Sequence, residues 1–149
     1  MRLLLCVVGT ARPPLAAAIA EYETRAVRYW PLVVREVKEG KGDAVAGRRI
    51  EGERLREAAG SAVLVACTEG GATYDSRAFA SLVTGWQEAA RDVALLIGGA
   101  HGLDPTVLSA AAQRLSLAPF TMPHEMARLV LTEQLYRAGT LRRGEPYHK

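Results

Sequence analysis

The residues best suited to chemistry lie in three short stretches that are rich in glycine or small side chains. They are Gly98-Gly99-Ala100-His101-Gly102, residues 68–71 and residues 118–123. Glycine lets a backbone approach a ligand closely and adopt positive φ. A tight turn would account for two glycines in the first stretch, but less easily for three. These stretches are therefore predicted to form a ligand site.

The first stretch does not match the common nucleotide-binding patterns. It is neither G-x-G-x-x-G nor a phosphate loop with G-K-[ST], and no acidic ribose ligand is cleanly placed after it. A nucleotide-dependent oxidoreductase is therefore a poor fit to the sequence.

The C-terminal tail, residues 141–149, carries a second set of reactive groups. Arg142 and Arg143 could contact phosphates, Tyr147 could stack on a base, and His148 could transfer a proton. A frayed basic end would explain this composition on its own, since most chain ends are poorly ordered. In combination with the three loops, the tail favours an RNA-modifying enzyme. A non-catalytic RNA-binding protein is the alternative from a different class.

Composition limits the remaining choices. The chain has a net charge of +3, which permits a polyanionic partner without requiring one. Cys6 and Cys67 are its only cysteines, and they lack ligand spacing, so neither a structural metal nor a disulfide is expected. This cysteine usage suits a cytoplasmic protein. No apolar run reaches transmembrane length.

The hydrophobic pattern supplies the elements that must position these groups. Continuous apolar runs predict buried strands at residues 3–8, 32–37, 62–67 and 93–97, with a short fifth strand at 116–121. Helices are expected at 15–29, 50–59, 76–90 and 123–141, with a further one starting at Asp104-Pro105, and a polar loop at 38–47. This alternation predicts one α/β domain over residues 1–149, with an open, mainly parallel sheet and flanking helices. In such sheets ligands bind beyond the carboxyl ends of the strands, where the three loops fall.

Two polar residues are notable on the long C-terminal helix. His124, at its start, is most simply a capping or packing residue. Glu133 lies on or beside an apolar stripe, so we expect it to pair with an arginine such as Arg128 or Arg137.

Six short motifs follow one another in the last third of the chain. They are Leu95-Leu96-Ile97-Gly98-Gly99, Gly102-Leu103, Ser116-Leu117, Thr121-Met122-Pro123-His124, Glu133-Gln134-Leu135-Tyr136-Arg137-Ala138 and Pro146-Tyr147-His148-Lys149. This ordered series, with Val8-Gly9-Thr10 near the start, resembles the RlmH family of SPOUT methyltransferases over the whole chain. The ordered set is far more specific than any single glycine motif.

The resemblance implies a fold, a methyl donor and a substrate. The fold is of the SPOUT type, an α/β sheet whose C-terminal segment threads a trefoil knot, and it assembles as a homodimer. The donor is S-adenosylmethionine. The substrate is N3 of a pseudouridine in 23S ribosomal RNA, presented in the large subunit or in the assembled ribosome. A SPOUT methyltransferase that acts on transfer RNA is the alternative within the same superfamily.

The resemblance also assigns roles to individual residues. The positions expected to bind the methyl donor are Cys67, Thr68, Gly99, Ala118, Pro119, Phe120, Thr121, Met122 and Pro123. Tyr147 and His148 are expected to be catalytic, as parts of a composite site in which the tail of one subunit meets the donor site of the other. His148 is expected to assist the loss of the N3 proton, although water could serve. Arg142 and Arg143 are expected to contact RNA phosphates.

Overall fold

Five strands and five helices make up the computed structural model, which describes all 149 residues. The strands are β1 (Leu3–Val8), β2 (Leu32–Val37), β3 (Val63–Thr73), β4 (Val93–Ile97) and β5 (Gln113–Ser116). The helices are α1 (Ala16–Ala26), α2 (Ala44–Ala59), α3 (Ser76–Glu88), α4 (Pro105–Ala110) and α5 (His124–Arg142). All strand pairs are parallel and form one sheet in the order β2-β1-β4-β3-β5. The predicted parallel α/β sheet with flanking helices is thereby confirmed.

The central strands β1 and β4 are buried along their whole length. Leu5 of β1 belongs to a core shared with Leu131 and Leu135 of α5. Its neighbour Cys6 belongs to a second core, on the other face of the sheet, with Leu55 of α2. Because alternate side chains of a strand point to opposite faces, both faces must be apolar. This explains why the strand sequences are continuously hydrophobic rather than alternating.

Helix α2 begins earlier than the sequence suggested. It starts at Ala44 rather than Ile50, because Asp43 caps it by accepting a hydrogen bond from Ala46 N at 2.8 Å. The preceding loop packs tightly on this first turn. A Cβ on Gly40 would lie 2.2 Å from the carbonyl oxygen of Gly47. The glycines that indicated a loop are therefore needed where the loop touches the helix.

The strands β3 and β5 also differ from the prediction. β3 continues to Thr73 instead of ending at Cys67, with an irregular register between Cys67 and Ala72. β5 covers Gln113–Ser116 and shares only Ser116 with the predicted strand. The residues that follow it leave the sheet, so their apolar character has a purpose other than strand pairing.

Helix α5 is fixed to the first part of the chain by buried polar contacts. Arg128 is 6% exposed and forms ion pairs with Glu23 at 2.7 Å and Glu36 at 2.9 Å. Trp30 Nε1 donates a hydrogen bond to the carbonyl oxygen of Leu135 at 2.7 Å. A charge buried in this way requires its partners, so α5 has one well-defined position on α1. No helix, α5 included, is long and apolar enough to cross a membrane.

Candidate active site

A pocket opens at the carboxyl end of β4, next to the part of β3 where the register becomes irregular. It has about 550 Å³ of empty space, part of it open to solvent. We call it the edge pocket, and its lining comprises residues 67–69, 97–99 and 102–103, then Leu117, Ala118, Phe120 and Met122, and finally His124 and Ala127 of α5. The three stretches that the sequence singled out therefore converge, although residues 68–71 belong to β3 and not to a loop.

The loop after β4 turns sharply because two of its glycines touch. A Cβ on Gly98 would lie 2.6 Å from the backbone carbonyl of Gly102, which is closer than real atoms approach. Gly102 has a φ of +76°, and its N–H donates to the carbonyl oxygen of Gly99 at 3.1 Å. Asp104 then caps α4, as predicted, by accepting from Thr106 N at 3.1 Å.

The buried residue Glu51 of α2 supports the same loop. A Cβ on Gly99 would lie 3.1 Å from each carboxylate oxygen of Glu51. Glu51 is 7% exposed and accepts a hydrogen bond from Gly40 N at 3.1 Å. It therefore links the loop before α2 to the loop that lines the pocket. Sequence reasoning missed Glu51, although its spacing of four residues from the buried Leu55 is a signal that could have revealed it.

The residues predicted to bind the methyl donor divide into two groups. Those that line the edge pocket are Cys67, Thr68, Gly99, Ala118, Phe120 and Met122. Pro119, Thr121 and Pro123 alternate with lining residues of the same segment, but they are exposed and do not line the pocket. The segment therefore presents one side to the pocket and the other to solvent.

Three ionisable side chains line the edge pocket: Cys67, Glu69 and His124. Burial raises the pKa of the Cys67 thiol to about 12, so the thiol stays protonated at neutral pH. Glu69 is exposed. His124 packs beside Gly9 and does not cap α5, whose N-cap is Pro123. No group of three or more His, Cys, Asp and Glu residues is arranged to hold a metal ion.

The C-terminal tail folds back on α5 of its own chain. Tyr147 donates a hydrogen bond to Glu133 Oε1 at 3.0 Å, and Arg137 Nη1 lies 3.1 Å from His148 Nδ1. Glu133 pairs with Arg137 at 2.6 Å, so of the two predicted partners the structure selects Arg137. Burial, together with the contact to Glu133, raises the pKa of Tyr147. Neither Tyr147 nor His148 lines the edge pocket of its own chain.

The two arginines of the tail lie over aromatic rings near the end of α1. The guanidinium of Arg142 is 5.6 Å from the ring centroid of Trp30, and that of Arg143 is 4.5 Å from that of Tyr29. Arg143 also donates to the carbonyl oxygen of Arg28 at 3.0 Å. Both arginines are exposed, so they form part of a basic surface next to the tail.

Comparison with known proteins places the chain in a family. Residues 1–148 match the family model described as predicted SPOUT methyltransferase. The chain is 54% identical, over the full length of both, to a protein of Gemmatimonas aurantiaca named ribosomal RNA large subunit methyltransferase H. A protein of the same name from Anaeromyxobacter sp. strain Fw109-5 is 46% identical over the full length of both chains. The chain therefore belongs to the RlmH family of SPOUT methyltransferases, which confirms the resemblance of its motifs.

The fold is also found among solved structures. A probable methylase family protein from Haemophilus influenzae matches with a TM-score of 0.58 at 13% identity, over 99% of this chain and 70% of that one. At this level of identity, the similarity supports the fold alone.

Proposed function

We propose that this protein transfers a methyl group from S-adenosylmethionine to N3 of a pseudouridine in large-subunit ribosomal RNA. The single observation that carries the proposal is the edge pocket, which β3, the loop after β4 and the segment after β5 build together. The relatives of this chain that are named ribosomal RNA large subunit methyltransferase H support large-subunit ribosomal RNA as the substrate. We also propose that it acts in the cytoplasm, where ribosomes are found.

The residues of the edge pocket fit S-adenosylmethionine. Ile97, Leu103 and Leu117 give apolar walls for the adenine ring, and the bare backbone around Gly99 can reach its polar edge. The carboxylate of Glu69, also in the lining, offers a negative charge toward a sulfonium. When bound, the donor would supply an electrophilic methyl group. The protein's own task is then to hold a nucleobase in line with that group and to assist the departure of a proton.

We propose that the C-terminal tail of a second copy completes the site, with Tyr147 and His148 as its catalytic residues. A guanidinium can only donate, so the Arg137 contact makes His148 Nδ1 an acceptor. The neutral ring then presents Nε2–H as a donor, which suits a pyrimidine carbonyl oxygen that gains negative charge.

Phe120, at the pocket mouth, is 82% exposed, and Met126 on the first turn of α5 is 38% exposed. Such apolar side chains beside a pocket favour coverage by a homodimer partner.

Two further features belong to this proposal. Arg142 and Arg143 would contact RNA phosphates, because both are exposed beside the tail.

We also propose the trefoil knot of the SPOUT fold. In the sheet, β3 lies between β4 and β5. The segment after β5 must therefore cross the carboxyl end of β3 to line the same pocket as the loop after β4.

Methyl transfer to ribosomes from cells that lack the modification tests the proposed function. We expect incorporation of one labelled methyl group per large subunit, mapped to N3 of a pseudouridine in 23S RNA. Transfer to tRNA instead would favour another SPOUT activity. Absence of both transfer and heat of binding with S-adenosylmethionine would identify a non-catalytic RNA-binding protein and refute the proposal.

A further inference from the structure

We propose that His124 is the catalytic residue that accepts the N3 proton during methyl transfer. This inference rests on the proposed function and adds to it the destination of the proton. The remaining lining groups are less suitable. The Cys67 thiol is already protonated, and the exposed Glu69 is proposed to face the sulfonium of the donor.

Two features of the fold place the imidazole of His124 in the pocket. His124 is the first residue of α5, directly after the segment that lines the pocket. Gly9, at the end of β1, has a φ of +85°, and a Cβ there would lie 3.1 Å from His124 Cε1. The absence of a side chain at Gly9 therefore leaves room for the ring. The His124 side chain is 21% exposed, so it is sheltered but still reachable from the pocket.

Two carboxylates lie near the ring of His124. Neither ring nitrogen has a hydrogen-bond partner within the protein, and Glu125 Oε1 lies 3.9 Å from Nε2. Glu39, which follows β2, is also near the ring. A Cβ on Gly9 would lie 3.5 Å from Glu39 Oε1 and 3.1 Å from His124 Cε1. A positive charge that forms on the ring would be attracted by both carboxylates. A free nitrogen in such surroundings is suited to accept a proton.

The second candidate, His148, has the opposite environment. Its Nδ1 already accepts a hydrogen bond from Arg137. With Nδ1 engaged as an acceptor, the neutral ring carries its hydrogen on Nε2, so neither ring nitrogen is left to accept a proton from the substrate. Between the two histidines, the hydrogen bonds therefore assign proton acceptance to His124 and hydrogen-bond donation to His148.

The proposed step balances in atoms and electrons. The N3–H bond breaks, and its proton forms an N–H bond on the His124 imidazole. The electron pair left on N3 forms the bond to the methyl carbon, and the pair of the carbon–sulfur bond stays on sulfur. The imidazolium then releases its proton to solvent through the open side of the pocket, and no other co-reactant is needed.

Single-turnover methylation by His124→Asn and by wild type, each with a calorimetric titration of S-adenosylmethionine, tests the inference. We expect the transfer rate to fall about 100-fold, as for loss of a general base, while the Kd for the donor stays within about twofold. We also expect imidazole in the buffer to restore part of the rate of His124→Gly without changing that of wild type. His124→Gln replaces the Asn variant if that chain does not fold.

The outcomes separate this inference from the proposed function. Wild type that methylates no RNA refutes the proposed function itself. An active wild type together with an equally active His124→Asn variant overturns the role of His124. A rate loss matched by an equal loss of donor affinity, with no rescue by imidazole, also overturns it, because His124 would then only bind the donor.

Discussion

The edge pocket and the C-terminal tail are held in place in different ways. In the pocket, backbone packs on backbone, as where Gly98 meets Gly102 without room for a Cβ. The tail is attached by side chains, through Tyr147 to Glu133 and through His148 to Arg137. The pocket is thus a product of the sheet and its loops, whereas the tail depends mainly on side-chain contacts, among them the packing of the Tyr147 ring on that of Tyr136 with centroids 4.5 Å apart.

This difference indicates that the pocket and the tail have different roles in the reaction. Backbone packing permits few alternative arrangements, so the pocket is suited to bind a small donor without rearranging. Partly exposed polar contacts contribute about 0–1 kcal/mol each, so the tail is held less firmly than the pocket. We therefore expect changes in the pocket to alter donor binding, and changes in the tail to alter transfer.

The largest effect is expected from Gly98→Ala. The new methyl group would collide with the backbone of Gly102, and the loop has to open to make space. Donor affinity, measured by calorimetry, should fall at least about 100-fold, or ~2.7 kcal/mol. Gly70→Ala is the matched control, since a Cβ there meets nothing within 4 Å. Equal donor affinity in both variants would show that the loop does not shape the site.

Removal of residues 146–149 should have the next largest effect. The chain would lose Tyr147 and His148 but keep every residue that lines the edge pocket. We expect the transfer rate on ribosomes to fall about 100-fold, with an unchanged Kd for S-adenosylmethionine. A truncated chain that no longer binds the donor would erase the proposed distinction between the two regions.

Glu51→Ala should weaken donor binding about tenfold, or ~1.4 kcal/mol. The substitution leaves a space beside Gly99 and an unpaired N–H on Gly40. Glu51→Gln keeps an acceptor oxygen and should have a smaller effect. Glu53→Gln, which alters an exposed side chain of the same helix, should leave the Kd unchanged. If the Glu51→Ala variant bound the donor like wild type, support from α2 would be irrelevant to the pocket.

The smallest effect is expected from Arg142→Ala and Arg143→Ala. Each should weaken RNA binding a few-fold and reduce the slope of log Kd against log salt by about 1. Arg91→Ala serves as a control for loss of an exposed arginine outside the tail segment. Donor affinity should not change in any of the three variants. Identical salt slopes in all three would remove these arginines from the RNA-binding surface.

The same two regions differ in how far the sequence could predict them. The parallel sheet was predictable because β1 and β4 are apolar on both faces. The convergence of the loops followed from parallel strands that end at one edge. The support that Glu51 gives to Gly99 was not predictable, because it joins residues on elements that are distant in the chain. The predicted strand at 116–121 was wrong because apolar residues there line a pocket instead of pairing in the sheet.

The tail was the least predictable part. Its composition indicated phosphate contacts, stacking and proton transfer, but composition does not say where a terminal segment folds. None of its contacts was expected. Of the residues that receive the tail, only the Glu133–Arg137 pair of α5 was among the predictions, with Arg128 as the alternative, and the structure shows Arg128 paired with Glu23 and Glu36 instead. The placement of Tyr147 and His148 at the pocket of a second copy stays a prediction.

A mixed dimer tests most directly whether the pocket of one chain works with the tail of another. One chain carries Ala118→Trp, which fills the edge pocket but leaves the tail intact, and the other lacks residues 146–149 but keeps the pocket. Each chain alone should be inactive on ribosomes. The purified mixed dimer should recover about half of the wild-type rate, because one of its two symmetric sites is complete. Mixed dimers as inactive as their parents would contradict a site shared between two chains.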